Sequence, residues 1–253
     1  MPVTRSLQEQ VIAVHLENPM VLTLVDLAAW ISRHSVDFPI VQQLPEAPPV
    51  SLLGSPDQMQ IQMFGPPPLP RLLLRSNDQR SAIQIQNDRF ALSWHRTEPL
   101  GDPTEYPGFD AQKAIWRGRL DDFESYARER FGQAPKYRLI ELSYVNAAPL
   151  LVGGKARRIS EVFKFIRPEG RRLGAFNVMW TEPILPAVTP DENPGVITCQ
   201  FVLGTAPPAI PVLAYTFTGL ISVTSGKQYD VLLDIVHSRI REIYETVIFQ
   251  DVS

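Results

Sequence analysis

The chain has 253 residues, of which 44% are apolar and 20% charged, with a formal net charge of −3 and a single cysteine. That apolar share fits a folded protein and excludes an intrinsically disordered chain. One cysteine, Cys199, excludes an intramolecular disulfide framework and any paired-cysteine zinc or redox centre.

The first predicted strand covers residues 10–17, where Ile12, Val14 and Leu16 alternate with Val11, Ala13 and His15. After Asn18-Pro19, Thr23 with Asp26 three residues on has the pattern of a capping box, and Leu24, Leu27, Ala28 and Ile31 follow at helical spacing. A helix is therefore expected over about residues 23–34. The proline-rich stretch 39–56 allows at most short strands. Met59, Ile61 and Met63 alternate with glutamines and predict another strand, broken by the prolines at 66–68. Residues 71–75 read as a short strand, and 81–86 with 89–96 as a hairpin around Asn87-Asp88. Asp110 is expected to cap a long helix to Phe131, with a stripe of Ala114, Trp116, Leu120, Phe123 and Ala127, stopped by Gly132.

The second half follows the same order. A strand is expected over 137–145, a short helix over 159–166, and strands over 175–182, 196–203 and 212–223. Ser225, with Gln228 three residues on, is expected to open a C-terminal helix bearing Tyr229, Leu233, Val236, Ile240, Ile243 and Val247. The expected class is α+β: a duplicated strand–helix–antiparallel-sheet–helix unit, similar to TATA-binding-protein-like and helix-grip folds, forming a curved antiparallel sheet with the helices packed on one face. The halves are residues 1–132 and 133–253, sharing one continuous sheet; two separate α+β domains are the alternative.

Alternation assigns Val178, Trp180, Ile197, Phe201, Tyr215 and Phe217, with Met59, Ile61, Met63 and Phe176, to the helix-covered face. The other face receives Asn177, Thr198, Gln200, Thr216, Thr218 and Ser222, with Gln58, Gln60 and Gln62. It reads as polar, with few lysines or arginines. Charge is uneven along the chain. Residues 1–70 hold 2 basic and 6 acidic groups, 71–172 hold 19 and 13, and 173–253 hold 3 and 8. The basic middle makes nucleic acid a conceivable partner, but its acids are interleaved and the whole chain is acidic.

No Walker loop, GxSxG elbow, HExxH or GxGxxG occurs. His15, His34, His95 and His237 have no ligand spacing, so neither a metal nor a cofactor is expected. Cys199 lies among apolar neighbours as a core residue would. Gly153-Gly154-Lys155 with Arg157 and Arg158 is a candidate phosphate loop, the alternative being a basic connection. Glu141, with Tyr144 and Asn146, is a candidate base or a structural link between the halves.

Two segments carry a family resemblance. Gln86-Asn87-Asp88-Arg89-Phe90, followed by Trp94 and Tyr106-Pro107, is the first; Glu141-Leu142-Ser143-Tyr144-Val145-Asn146 is the second. Together they resemble a sporadically distributed, uncharacterised bacterial protein family with Q-x-D-R-F…N-W-R…Y-P and E-x-x-Y-x-N blocks. Ser93 and His95 depart from that pattern, where Asn and Arg flank the tryptophan; Arg96 is adjacent. The resemblance supplies no catalytic residue. Its patchy occurrence is typical of genes that travel with mobile elements, including toxin–antitoxin and phage-defence cassettes. Arg89 and Arg96 are expected to anchor the Tyr106-Pro107 loop.

No run approaches the roughly 20 apolar residues of a spanning helix, and the first residues lack a signal pattern, so a cytoplasmic protein without membrane contact is expected. The leading expectation is a non-enzymatic binding or assembly protein, an accessory or antitoxin-like component of a mobile defence system. It would act through a protein partner or self-association at unpaired strand edges. A small-ligand-binding helix-grip protein and a nucleic-acid binder are the alternatives.

Overall fold

Residues 6–20, 22–47, 50, 52, 71–98, 105–152, 155–156, 158–164, 177–184, 195–206, 210–223 and 229–248 are described in a computed structural model, and the following concerns these residues. The alternating first segment forms β1 (Leu7–Leu16). Thr23 then caps α1 (Leu24–His34): its hydroxyl accepts from the Asp26 N–H, and the Asp26 carboxylate accepts from the Thr23 N–H. Four short strands follow: β2 (Ile40–Leu44), β3 (Arg71–Arg75), β4 (Ser81–Gln86) and β5 (Arg89–His95). The β4–β5 hairpin turns at Asn87-Asp88 with Gln86 opposite Arg89.

The long helix α2 (Phe109–Phe131) starts differently from expectation. Gly108, at a φ of 97°, occupies the cap position without a side-chain cap, and Asp110 lies in the first turn, where its charge faces the positive end of the helix. Gly132 ends the helix as expected, left-handed at a φ of 77° with its N–H donating to the Arg128 carbonyl.

In the second half β6 (Tyr137–Pro149) runs past Asn146. The two-residue strands β7 (Leu151–Val152) and β8 (Lys155–Ala156) pair with each other. The expected helix over 159–166 is replaced by one 3-10 turn, Ile159–Glu161. Val162 and Phe163 then enter the core, and Phe163 makes an isolated β-bridge to Ile248, which draws the chain away from a helical path. Strands β9 (Asn177–Pro183), β10 (Gly195–Ala206) and β11 (Ile210–Ser222) precede the C-terminal helix α3 (Tyr229–Val247). The expected strand around Met59, the Ser225 cap and Phe176 lie outside the described residues.

Nine strands make one sheet in the order β2-β3-β4-β5-β1-β6-β11-β10-β9, with every neighbouring pair antiparallel. β1 and β6 are hydrogen-bonded neighbours at its centre. The helices pack on one face. Trp30 of α1 and Phe123 of α2 meet Phe90 of β5, while Tyr244 of α3 lies against Tyr215 and Phe217 of β11. Trp30, Trp116, Phe90, Phe123, Phe201 and Phe217 are all buried below 2% exposure, so aromatic rings fill the space between sheet and helices. Among the described residues no helix is long and apolar enough to cross a membrane.

Candidate functional site

Strand alternation splits the candidate residues between the two faces of the sheet. On the helix-free face, His15 of β1 lies opposite Arg89 of β5, and Ala13 of β1 lies opposite Glu141 of β6. Arg89 donates to Glu141 Oε2 at 2.7 Å, and His15 Nε2 lies 2.8 Å from the same oxygen. Burial pushes the Glu141 carboxyl up, but the His15 hydrogen bond and the Arg89 charge outweigh it, so its pKa lies below the ordinary carboxylate value. Arg89 therefore does not anchor the Tyr106-Pro107 loop. With Glu141 it ties β5 across β1 to β6.

This end of the face is covered. The Gln86 side-chain amide donates to the Ala47 carbonyl and accepts from the Ala47 N–H, both at 2.9 Å. Arg138, at a β-bulge in β6, donates to the Val50 carbonyl at 2.8 Å. Residues 47 and 50 are thus held over the strands that carry the ion pair, and His15 is 1% exposed. The Asn87-Asp88 turn serves the same corner. The Leu16 N–H donates to the Asp88 carbonyl, and the Met20 N–H donates to the Asn87 carbonyl.

Trp94, Tyr144 and Asn146 face the helices instead. Gln10 donates to the Tyr144 hydroxyl at 3.1 Å, and that hydroxyl lies 2.8 Å from His237 Nδ1. His237 stacks on Phe109 at 4.0 Å, and burial lowers its pKa, which keeps the imidazole neutral and able to accept. Trp94 meets Tyr106 edge-on at 5.1 Å, so the tryptophan contacts the Tyr106-Pro107 loop. Burial raises the pKa of Tyr106. The Arg96 N–H donates to the Gln8 carbonyl. Tyr215 donates to Ser6 Oγ at 2.7 Å, and Ser6 donates weakly to Asn146 Oδ1 at 3.4 Å. These contacts stitch the sequence before β1 to β6 and β11, a structural use of the second motif.

The remaining candidates do not join either group. Lys155 belongs to the two-residue strand β8, and Arg157 and Gly153-Gly154 lie outside the described residues. The Arg158 N–H donates to Glu161, which closes the 3-10 turn. Cys199 is buried and its thiol is pushed up to about 12, so it is not a thiolate nucleophile. No group of three or more His, Cys, Asp or Glu suited to a metal occurs among the described residues.

Cross-strand rows map the rest of the helix-free face. One row runs Arg75, Ala82, Ser93, Val11, Ser143, Thr218, Thr198 and Thr181 across eight strands. Ser143 and Thr218 hydroxyls are 2.7 Å apart. The next row passes from His95 through Glu9, Val145, Thr216 and Gln200 to Met179. Gln200, Thr181 and Met179 are exposed, Met179 at 66%. The cations of this face are few and come from β3 and β5. Leu72 and Leu74 enter the core, so Arg71 and Arg75 of β3 fall on the helix-free face, as does Arg89. The run of leucines in β3 masked this, since its register only becomes visible once Ile83 and Ile85 fix the pairing.

Ser93 Oγ lies 2.7 Å from His95 Nε2, and His95 Nδ1 lies 3.6 Å from Glu9. Burial and the Arg75 charge push His95 down to about 4. The order Ser–His–acid resembles a nucleophilic triad, but β5 is paired on both sides, so its backbone N–H groups are committed to the sheet and do not form an oxyanion hole. Gln10, Ser6, His15 and His237 were not singled out in the sequence as partners. His15 carried the one usable signal, a polar residue within an otherwise apolar alternation. Comparison with protein-family models and with curated proteins finds no match.

Proposed function

We propose that this protein is a non-enzymatic binding or assembly protein that meets its partner on the helix-free face of the sheet. The observation that carries this reading is the disposition of that face. All three helices pack on the opposite side, and the β9–β11 region leaves Gln200, Thr181 and Met179 exposed on a surface without charge. A sheet face of small hydroxyl and amide side chains allows close approach of another backbone and offers donors and acceptors along its length.

The duplication belongs to the same reading. Outward from the β1–β6 pair the order is β5, β4, β3 on one side, with β2 added beyond β3, and β11, β10, β9 on the other. Each meander is followed by a long helix, as expected for two copies of a TATA-binding-protein-like unit in a curved sheet. The family resemblance favours a partner encoded beside it in a mobile defence cassette. The helix-grip alternative needs a ligand space between sheet and helices, which the aromatic core occupies. The arginines of the face are too few, and Arg89 too fully matched by Glu141, to favour phosphate tracking by nucleic acid.

Hydrogen exchange of the protein purified from its own host, compared with protein made alone, tests this. Slower exchange in peptides of β9, β10 and β11 supports the reading. Protection confined to α1, α2 or α3 overturns it.

A further inference from the structure

We infer that two copies of this chain pair edge to edge through β9, antiparallel about a two-fold axis at Met179; this names a second copy as partner at the β9 end of the face proposed above and rests on that reading. β9 ends the sheet, with β10 on one side and no strand on the other among the described residues. The Ile184 N–H donates to the Gly195 carbonyl at 3.0 Å, one position past the Pro183–Val196 pair. Alternation from that bond turns the main-chain groups of Glu182, Trp180 and Val178 toward β10, and those of Thr181, Met179 and Asn177 outward. Pro183 falls in the outward set, where the ladder with β10 needs no N–H. Asn177, Met179, Thr181 and Pro183 are all exposed, and no main-chain hydrogen bond reaches the outward groups of Asn177, Met179 and Thr181 from another part of the described chain.

Edges that stay open in folded proteins are blunted by short length, proline, lysine or a bulge. The opposite edge strand, β2, has five residues set between Pro39 and Pro45. β9 has seven, keeps an unbroken register with β10, and its one charged residue, Glu182, accepts from Arg239 at 3.1 Å. Self-pairing about Met179 sets Met179 against its counterpart and Asn177 against Thr181 on either side, so each outward residue exchanges both main-chain hydrogen bonds with the other copy. The same register sets Val178 against Trp180 on the helix-covered side, a β-branched residue beside an aromatic one, on both sides of the axis. Charge favours a second copy over a different protein. Residues 177–181 carry none, so the two-fold pair places no like charges opposite each other, and a partner selected by charge finds nothing to read. A β9–β9 pair also closes, whereas pairing β9 to β2 of another copy would leave edges open and continue as a fibre.

Sedimentation velocity of the full chain made alone, over a wide concentration range and beside Met179→Pro, tests this. The wild type is expected to pass from single chain to dimer as concentration rises. Met179→Pro removes an outward N–H that β10 does not use, and is expected to raise the dimer dissociation constant about tenfold or more. Residue-level amide exchange of the wild type gives a readout that stands even where the variant fails to fold. The amides of Asn177, Met179 and Thr181 are expected to slow as concentration rises, while those of Val178, Trp180 and Glu182, already bonded to β10, are slow throughout. A single chain at every concentration, a dimer unweakened by Met179→Pro, or rapid exchange at the three outward amides throughout would each overturn the inference. A single chain here together with protected β9–β11 peptides in protein from its own host would remove the second copy and leave the face reading standing.

Discussion

Removing Glu141 leaves two partners without their acceptor. Arg89 retains 15% side-chain exposure and His15 1%, and both bond to Glu141 Oε2 within 2.8 Å. Breaking a buried ion pair from one side costs about 3–5 kcal/mol, because the surviving charge stays desolvated. The residual exposure of Arg89 favours the lower end, so Glu141→Leu is expected to cost about 3 kcal/mol. For a chain of this size that lowers Tm by about 6–12 °C. Arg89→Met is milder, since Glu141 keeps its His15 hydrogen bond. The double variant Glu141→Leu/Arg89→Met removes both charges and is expected to recover most of the loss, giving a coupling energy above about 1.5 kcal/mol. Urea unfolding followed by circular dichroism and tryptophan fluorescence reads all three. A Glu141→Leu protein within about 1 kcal/mol of wild type, or strictly additive variants, would refute a central clamp made by this pair.

Two further outcomes follow from packing and charge. Gly219 lies under α3, and a Cβ there would collide with the Val236 side chain, so Gly219→Ala is expected to cost about 1–3 kcal/mol and Val236→Ala in the same chain to relieve part of it; thermal melts of the single and double variants check this. His95 is held down to about 4 in the folded protein against about 6.5 when unfolded. Above pH 6.5 both states are neutral and His95 adds no pH dependence. Between pH 6.5 and 4 the unfolded chain takes up a proton that the folded protein refuses, so stability falls, by about 3 kcal/mol in all. His95→Asn is expected to flatten that part of the profile, and an unchanged slope would refute the assignment.

Local signals were legible where one short segment decides its own structure. Thr23-Asp26, Asn87-Asp88 and Gly132 each determine a terminus or turn with residues at hand, and all three act as their sequence indicates. The start of α2 is not legible in the same way, because Asp110 has the residue type of a cap while the left-handed Gly108 two residues earlier carries no side-chain signal. The site was harder to read because its residues are far apart in sequence. Glu141 and Arg89 are separated by 52 positions and meet only through β1. Strand period placed Glu141 and Tyr144 in one motif yet on opposite faces, which the motif pattern alone conceals. The leucine run of β3 carries no alternation, so the faces of Arg71 and Arg75 depend on pairing with β4.

The most direct measurement on the binding face is native mass analysis of the tagged protein from its own host, beside Gln200→Arg/Thr181→Arg. Both substituted positions are exposed on the helix-free face, so the fold is expected to survive. The expected result is a mass above that of the single chain for the wild type, from a partner or a second copy, that returns to the single-chain mass in the variant. A single-chain mass for both proteins, or the same assembly in both, would contradict a binding role for this face.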